Sequence, residues 1–208
     1  MRIGLDFDNT IIGYSDVFLS AARERQLLAP DAPCASKQAV RDAIRLLPDG
    51  EITWQRLQGF VYGRGIRGAA MFAGVDRFLR RCRAEGHAMF IVSHKTEYGH
   101  YDPEQVNLRE AALGWMTEQG FFREDGYGIS RGNVYFESTR AEKLRRIALL
   151  GCTHFIDDLE EVLNDPGFPP TVARILFSAE VGPAGHGQPF TVCPTWQGVE
   201  NVVFNGHA

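Results

Sequence analysis

The chain has 208 residues, 44% of them hydrophobic and 23% charged, a composition suited to one sizeable globular core or a core with a small insertion. A net charge of −4 and a pI near 5.9 leave no basic footprint, so a nucleic acid polymer is not an expected partner. No stretch approaches the ~18 apolar residues of a membrane span, and the amino terminus enters a strand without the long apolar run of a secretion signal, so no membrane partner and a cytoplasmic location are expected.

Residues 2–8 read as a buried strand. Tyr14 to Gln26 is a helix, with Val17, Phe18, Ala21 and Ala22 at helical spacing and Ser15 as its expected N-cap. After a break at Pro30 to Pro33, Ser36 caps a second helix with Val40, Ile44 and Leu47 on one face, stopped by Pro48-Asp49-Gly50. A third helix runs from Ile52 to Tyr62, and Gly63 to Gly68 is a glycine-rich return. Residues 13–69 therefore read as an all-helical insertion between two parts of an α/β core, 1–12 and 70–208.

The core resumes with a helix from Val75 to Glu85, closed by Gly86, and a strand from His87 to Val92 that ends at Ser93. A polar loop from His94 to Asp102 leads into a helix expected from Pro103 to Gln119. Phe121 and Phe122 are expected under the sheet. Next come a strand at 133–136, a helix at 138–150 carrying Lys143 near its start, and a strand at 153–156 that runs into Asp157-Asp158. A helical turn at 159–163, a strand at 174–177, a glycine/proline loop at 182–189 and a last helix within 195–204 complete the chain. Strands alternating with helices imply a parallel sheet with right-handed crossovers. The four cysteines, Cys34, Cys82, Cys152 and Cys193, show neither zinc spacing nor a disulfide framework and are expected as free thiols.

Chemistry concentrates at the strand ends. Asp6 and Asp8 are spaced i, i+2, which puts both on one side of a strand at its carboxyl end, where open α/β sheets bind ligands. Two carboxylates this close repel, and a hard divalent cation such as magnesium relieves the repulsion. Ser93, Lys143 and the Asp157-Asp158 pair fall at the ends of other core elements, so a parallel sheet gathers them on the same edge. Phosphoryl transfer needs this set: a carboxylate nucleophile, an acid for the leaving oxygen, and a hydroxyl and an ammonium for the phosphoryl oxygens.

These residues resemble the haloacid dehalogenase (HAD) superfamily in its phosphatase branch. Asp6-Phe7-Asp8-Asn9-Thr10 resembles its first motif, Phe90-Ile91-Val92-Ser93 its second, Lys143 its third and Phe155-Ile156-Asp157-Asp158 its fourth, in order along the chain. The resemblance implies a Rossmann-like three-layer core with a small helical cap at 13–69 that excludes water and selects substrate. It implies Asp6 as nucleophile and metal ligand, and Asp8 as general acid/base and a metal ligand through its backbone carbonyl. Thr10 would support the nucleophile loop on the phosphate side, Ser93 and Lys143 would bind the phosphoryl group, and Asp157 and Asp158 would complete a Mg2+ site. Asp8 further distinguishes the chain from dehalogenases, which lack an acid there, and from ATP-driven pumps, which carry Thr.

The expected activity is magnesium-dependent hydrolysis of a small phosphorylated metabolite, a sugar phosphate or nucleotide, through an aspartyl-phosphate. A phosphotransferase and a catalytically silent binding or regulatory protein are the alternatives. His94 and Lys95 border the second motif and are candidate substrate-binding residues. His100 and Asp102 read more as loop polarity, and Arg64 and Arg67 as solvated surface. The sequence leaves the oligomeric state open.

Overall fold

A computed structural model of the chain describes residues 1–34, 36–178 and 188–206. Of the loop expected at 182–189, residues 182–187 lie outside them. The chain divides into two compact units, one comprising 1–12, 71–94 and 120–208, the other 13–70 and 95–119. Residues 95–119 thus group with the helices of the 13–69 insertion. Two short strands, β2 (Ile12–Gly13) and β3 (Ala70–Met71), pair with each other.

The first unit is built on β1 (Arg2–Leu5), β4 (Ala88–His94), β5 (Val134–Glu137), β6 (His154–Asp157), β7 (Ala173–Phe177) and β8 (Thr191–Cys193). Among the described residues these form one six-stranded sheet in the order β5-β4-β1-β6-β7-β8, every pairing parallel. Such a sheet is buried on both faces, which is why its strands read as continuous apolar runs. Ile3, Leu5, Ile91, Phe155, Ile156 and Ile175 are all fully buried.

Helices cover both faces. On one, Leu144 and Ile147 of α6 (Arg140–Leu149) and Val162 and Leu163 of α7 (Glu160–Leu163) pack with Phe90, Val92, Phe155 and Leu176. Gly4 belongs to this face: a Cβ there would come within 2.5 Å of a Phe155 ring carbon. Elsewhere in the unit, α4 (Val75–Ala84) packs on α8 (Trp196–Asn205), where the Trp196 ring meets Phe78 at 5.1 Å and Phe177 at 5.6 Å. Phe121 is fully buried, whereas Phe122 is only partly covered and carries the Arg131 guanidinium 4.2 Å from its ring. β8 was not expected from the sequence.

The second unit holds α1 (Ser15–Glu24), α2 (Lys37–Arg45), α3 (Gly50–Tyr62), a short 3-10 turn (Arg64–Gly68) and α5 (Leu108–Glu118). Ser36 caps α2 as expected, accepting the Ala39 N–H at 3.2 Å, but Tyr14, not Ser15, is the residue preceding α1, and Leu47 lies outside α2, 37% exposed. Phe18 stacks on Trp54 at 4.9 Å as the centre of this unit's own core. The largest departure is α5, which begins at Leu108 rather than Pro103. Asp102 accepts the N–H groups of Glu104 and Val106, and Asn107 accepts those of Arg109 and Glu110, so side chains hold a turn where proline alone suggests a first helical turn.

Cys82, Cys152 and Cys193 are buried free thiols, and Cys34 is half-buried. Burial pushes Cys82 up to about 12 and Cys152 and Cys193 up to about 11. No described helix is long and apolar enough to cross a membrane.

Candidate active site

Strand alternation sets the site. Gly4 faces the α6 side, so Asp6, two residues on, faces it too. The Asp6 N–H still bonds the Ile156 carbonyl at 2.9 Å, which extends the ladder one residue past β1. On β6, Phe155 faces the same side and Asp157 follows it by two. The two carboxylates therefore emerge from adjacent strands toward α6.

α6 delivers the cation. Its start is a reciprocal capping box: Thr139 Oγ1 accepts the Glu142 N–H, and Glu142 accepts the Thr139 N–H. Lys143 is the next residue, 1% exposed, and its Nζ donates to Asp6 Oδ1 at 2.7 Å and to Asp157 Oδ2 at 2.6 Å. Asp157 Oδ1 accepts the Leu159 N–H at 3.0 Å. Burial works against the Lys143 ammonium, but Asp157 and Asp6 outweigh it and hold its pKa above the ordinary lysine range.

The loop after β1 fixes the rest. The Ile11 and Ile12 N–H groups turn back onto the Phe7 carbonyl, the Asn9 N–H bonds the Ile12 carbonyl at 2.8 Å, and Asn9 adopts φ of 60°. Asn tolerates that left-handed conformation better than most residues. Thr10, fully buried, donates its hydroxyl to Asp6 Oδ2 at 3.4 Å, and its carbonyl accepts Trp196 Nε1–H at 3.2 Å. Asp8 is half-buried in the same loop, bridged to Ile12.

Asp158 completes an acidic group: one carboxylate oxygen from each of Asp6, Asp157 and Asp158 lies within 4.8 Å of the others. Of the three, Asp6 and Asp157 share the Lys143 ammonium. The Asp6 carboxyl is raised well above the usual carboxylate range, first by burial and then, against the opposing pull of Lys143, by Asp157 and Asp158. An all-oxygen set of three carboxylates fits a hard divalent cation such as magnesium.

Ser93 lies on β4, beside β1 in the sheet. It is 1% exposed, and its Oγ has no hydrogen-bond partner, alone among the buried side-chain polar atoms of the described residues. The sheet therefore brings Asp6, Thr10, Lys143 and Asp157 into one hydrogen-bonded group, with Asp158 beside it and Ser93 and Asp8 on the neighbouring strand end and loop. The two candidate substrate residues differ. His94 is exposed, and its Nε2–H is bonded to the Ser138 carbonyl at 3.0 Å. Lys95 belongs to the helical unit, 4% exposed, with its Nζ 5.0 Å from the Tyr62 ring centre. Arg64 is paired with Glu104 at 2.9 Å on the surface, and Arg67 is exposed. Sequence reasoning passed over Thr139, whose Thr-x-x-Glu spacing signals the cap that places Lys143, and Trp196, for which no local signal exists.

No family model matches the chain, and no curated protein matches it. Solved structures do. A predicted phosphoglycolate phosphatase from Haemophilus somnus 129pt aligns over 99% of this chain and 97% of its own, with TM-score 0.57 and 14% identity. A HAD family hydrolase from Deinococcus radiodurans R1, crystallised with bound phosphate and sodium, aligns over 98% and 95%, with TM-score 0.53 and 14% identity. The fold is that of the HAD-superfamily hydrolases. A dehalogenase shares the same HAD-like fold over 95% of this chain and 94% of its own, with TM-score 0.53 and 11% identity. The HAD-like core thus places Asp6 at the end of a central strand, and the choice of reaction within that fold rests on the side chains.

Proposed function

We propose that the core unit hydrolyses a phosphomonoester of a small metabolite, with magnesium, through an aspartyl-phosphate on Asp6. The observation that carries this reading is the Asp6–Lys143–Asp157 clasp with Asp158 beside it. Asp6, Asp157 and Asp158 would hold the metal, together with the Asp8 backbone carbonyl. When bound, magnesium neutralises phosphoryl oxygens and orients them for in-line attack.

The chain's own residues account for the remaining steps. An Asp6 carboxylate oxygen attacks phosphorus, and the bond from phosphorus to the leaving oxygen breaks. Asp8 gives that oxygen a proton. Lys143 and the Ser93 hydroxyl hold the phosphoryl oxygens through the transition state. Asp8, now ionised, takes a proton from water, which attacks phosphorus and releases phosphate from Asp6.

Asp8 also supports a phosphatase over a dehalogenase. A halide departs as a stable anion and needs no proton, whereas an alkoxide does. The decisive test is covalent. After acid quench of the Asp8→Asn variant with a generic aryl phosphate, the peptide carrying Asp6 should gain one phosphoryl group by mass. Its absence from that peptide, with turnover by the parent enzyme intact, would remove Asp6 as nucleophile. Release of free phosphate with and without an added sugar acceptor separates hydrolysis from transfer to an alcohol.

A further inference from the structure

Within the core unit, the loop that follows Asp6 is tied to the last helix. Thr10, fully buried in that loop, makes two bonds: its hydroxyl donates to Asp6 Oδ2 at 3.4 Å, and its carbonyl accepts Trp196 Nε1–H at 3.2 Å. The next carbonyl, that of Ile11, accepts the Phe72 N–H at 3.0 Å. Phe72 and Trp196 belong to one aromatic group. The Phe72 ring meets Phe177 at 5.0 Å, and the Trp196 ring meets Phe177 at 5.6 Å and Phe78 at 5.1 Å. Two consecutive carbonyls of the loop are therefore gripped from one packed cluster.

The indole is itself fixed. Trp196 is the first residue of α8 and 1% exposed, and Thr195 caps that helix by accepting the Gly198 N–H at 3.2 Å. One turn on, Glu200 accepts Arg77 Nε–H at 2.8 Å and Arg81 Nη1–H at 3.0 Å, both from α4. Gly74, with φ of 96°, lets the backbone before α4 pass close: a Cβ there would come within 2.8 Å of Trp196 Cβ. An indole packed this closely cannot change rotamer without disturbing the core, so its N–H is a donor of set direction.

Core packing explains why the indole is buried, and a buried indole N–H needs an acceptor. It does not explain why the acceptor belongs to the residue whose hydroxyl touches Asp6. That hydroxyl bond is long, since 3.4 Å exceeds the ~2.5–3.0 Å of a well-made O–H···O bond, and a small retreat of Thr10 would end it. Misplacing a reacting group by about 1 Å can cost ~10²-fold in rate. The orientation of Asp6 thus depends on a restraint from outside its own loop.

We infer that Trp196 is a positioning residue: its indole N–H holds the Thr10 carbonyl and, through Thr10, sets the direction of the Asp6 carboxylate. The inference rests on the reading of Asp6 as nucleophile. Two variants separate the N–H from the packing. Trp196→Phe keeps an aromatic ring beside Phe78 and Phe177 and removes the N–H, whereas Phe78→Leu thins the same cluster and keeps it. In Trp196→Phe, kcat for an aryl phosphate should fall about 5–50-fold with KM within about threefold, because the groups that would bind the phosphoryl oxygens are untouched. Phe78→Leu should lower the melting temperature and leave kcat within about twofold. Equal kcat losses in the two variants, a loss carried by KM, or no loss in Trp196→Phe would make Trp196 core packing and overturn the inference.

Backbone hydrogen exchange followed by NMR reads the same restraint without activity. The Ile11 and Ile12 N–H groups close the loop onto the Phe7 carbonyl at 3.0 and 3.2 Å. They should exchange about fivefold or more faster in Trp196→Phe, with Ile91 and Val92 of β4 unchanged. No acceleration in the loop, or the same acceleration in β4, would overturn the inference. If no ester is hydrolysed, the phosphatase reading fails separately, and this exchange decides whether Trp196 holds the loop. If Trp196→Phe does not fold, the parent chain decides. Its Trp196 indole N–H and its Ile11 and Ile12 amides should then be protected to within about threefold of one another, as groups released by one opening are. Loop amides that exchange about tenfold or more faster than the indole would show the loop opening without Trp196 and overturn the inference.

Discussion

Ser93 is the residue whose state is hardest to explain by stability. A buried hydroxyl without a partner costs about 1–3 kcal/mol, and Ser93 Oγ is such a group. A phosphoryl oxygen would satisfy it. Ser93→Ala should therefore leave the melting temperature unchanged or slightly higher, while kcat/KM for any phosphomonoester turned over falls about 10–100-fold. Thermal melting and steady-state kinetics check the two halves. A large loss of stability with unchanged kinetics would make Ser93 structural. Asp6 and Lys143 show the opposite condition, each satisfied at 2.7 Å in the folded chain. The sequence pointed to all three, Asp6 and Ser93 because an apolar run ending in a polar residue marks a strand end, and Lys143 as a cation near the start of a core helix. It could not show which would be paired, since the partner of Asp6 lies 137 residues away.

At the scale of elements, α6 converts a local signal into a functional position. The Thr139–Glu142 capping box sets the first turn, and Lys143 follows immediately. Thr139→Ala should cost about 0.5–2 kcal/mol of stability and lower phosphate release by loosening Lys143. Denaturant melts and kinetics on the same preparation test this, and a destabilised variant with unaltered kinetics would show that Lys143 is held by its carboxylates alone. The helices were legible where apolar periodicity and caps agreed, as at Ser36. They were not where two signals competed. At 103–108, proline favours a helical start, but Asp102 and Asn107 both capture nearby N–H groups, and the second of these captures is what opens α5. β8 escaped notice because three residues beside Pro189 and Pro194 carry no period of their own, and only pairing with β7 makes them a strand.

For the whole molecule, the decisive fact is the position of β1 between β4 and β6. That order places Asp6 between the ends that carry Ser93 and Asp157. No single segment encodes it. It follows from right-handed crossovers between strands distant in sequence, and it was reachable in advance only through the ordered motifs. Identities of 11–14% with near-complete alignment to HAD-like structures point the same way: the fold persists where little of the sequence does. The boundaries of the helical unit were less legible, because the grouping of 95–119 with 13–70 depends on packing and not on any composition change. The most direct measurement is inorganic phosphate release from a panel of sugar phosphates, nucleotides and an aryl phosphate, with magnesium and with chelator, for the parent chain and Asp6→Asn. The account predicts release that requires magnesium and falls by at least about 10³-fold in Asp6→Asn, with the variant still folded. Release that survives chelation, or that Asp6→Asn leaves largely intact, would contradict it.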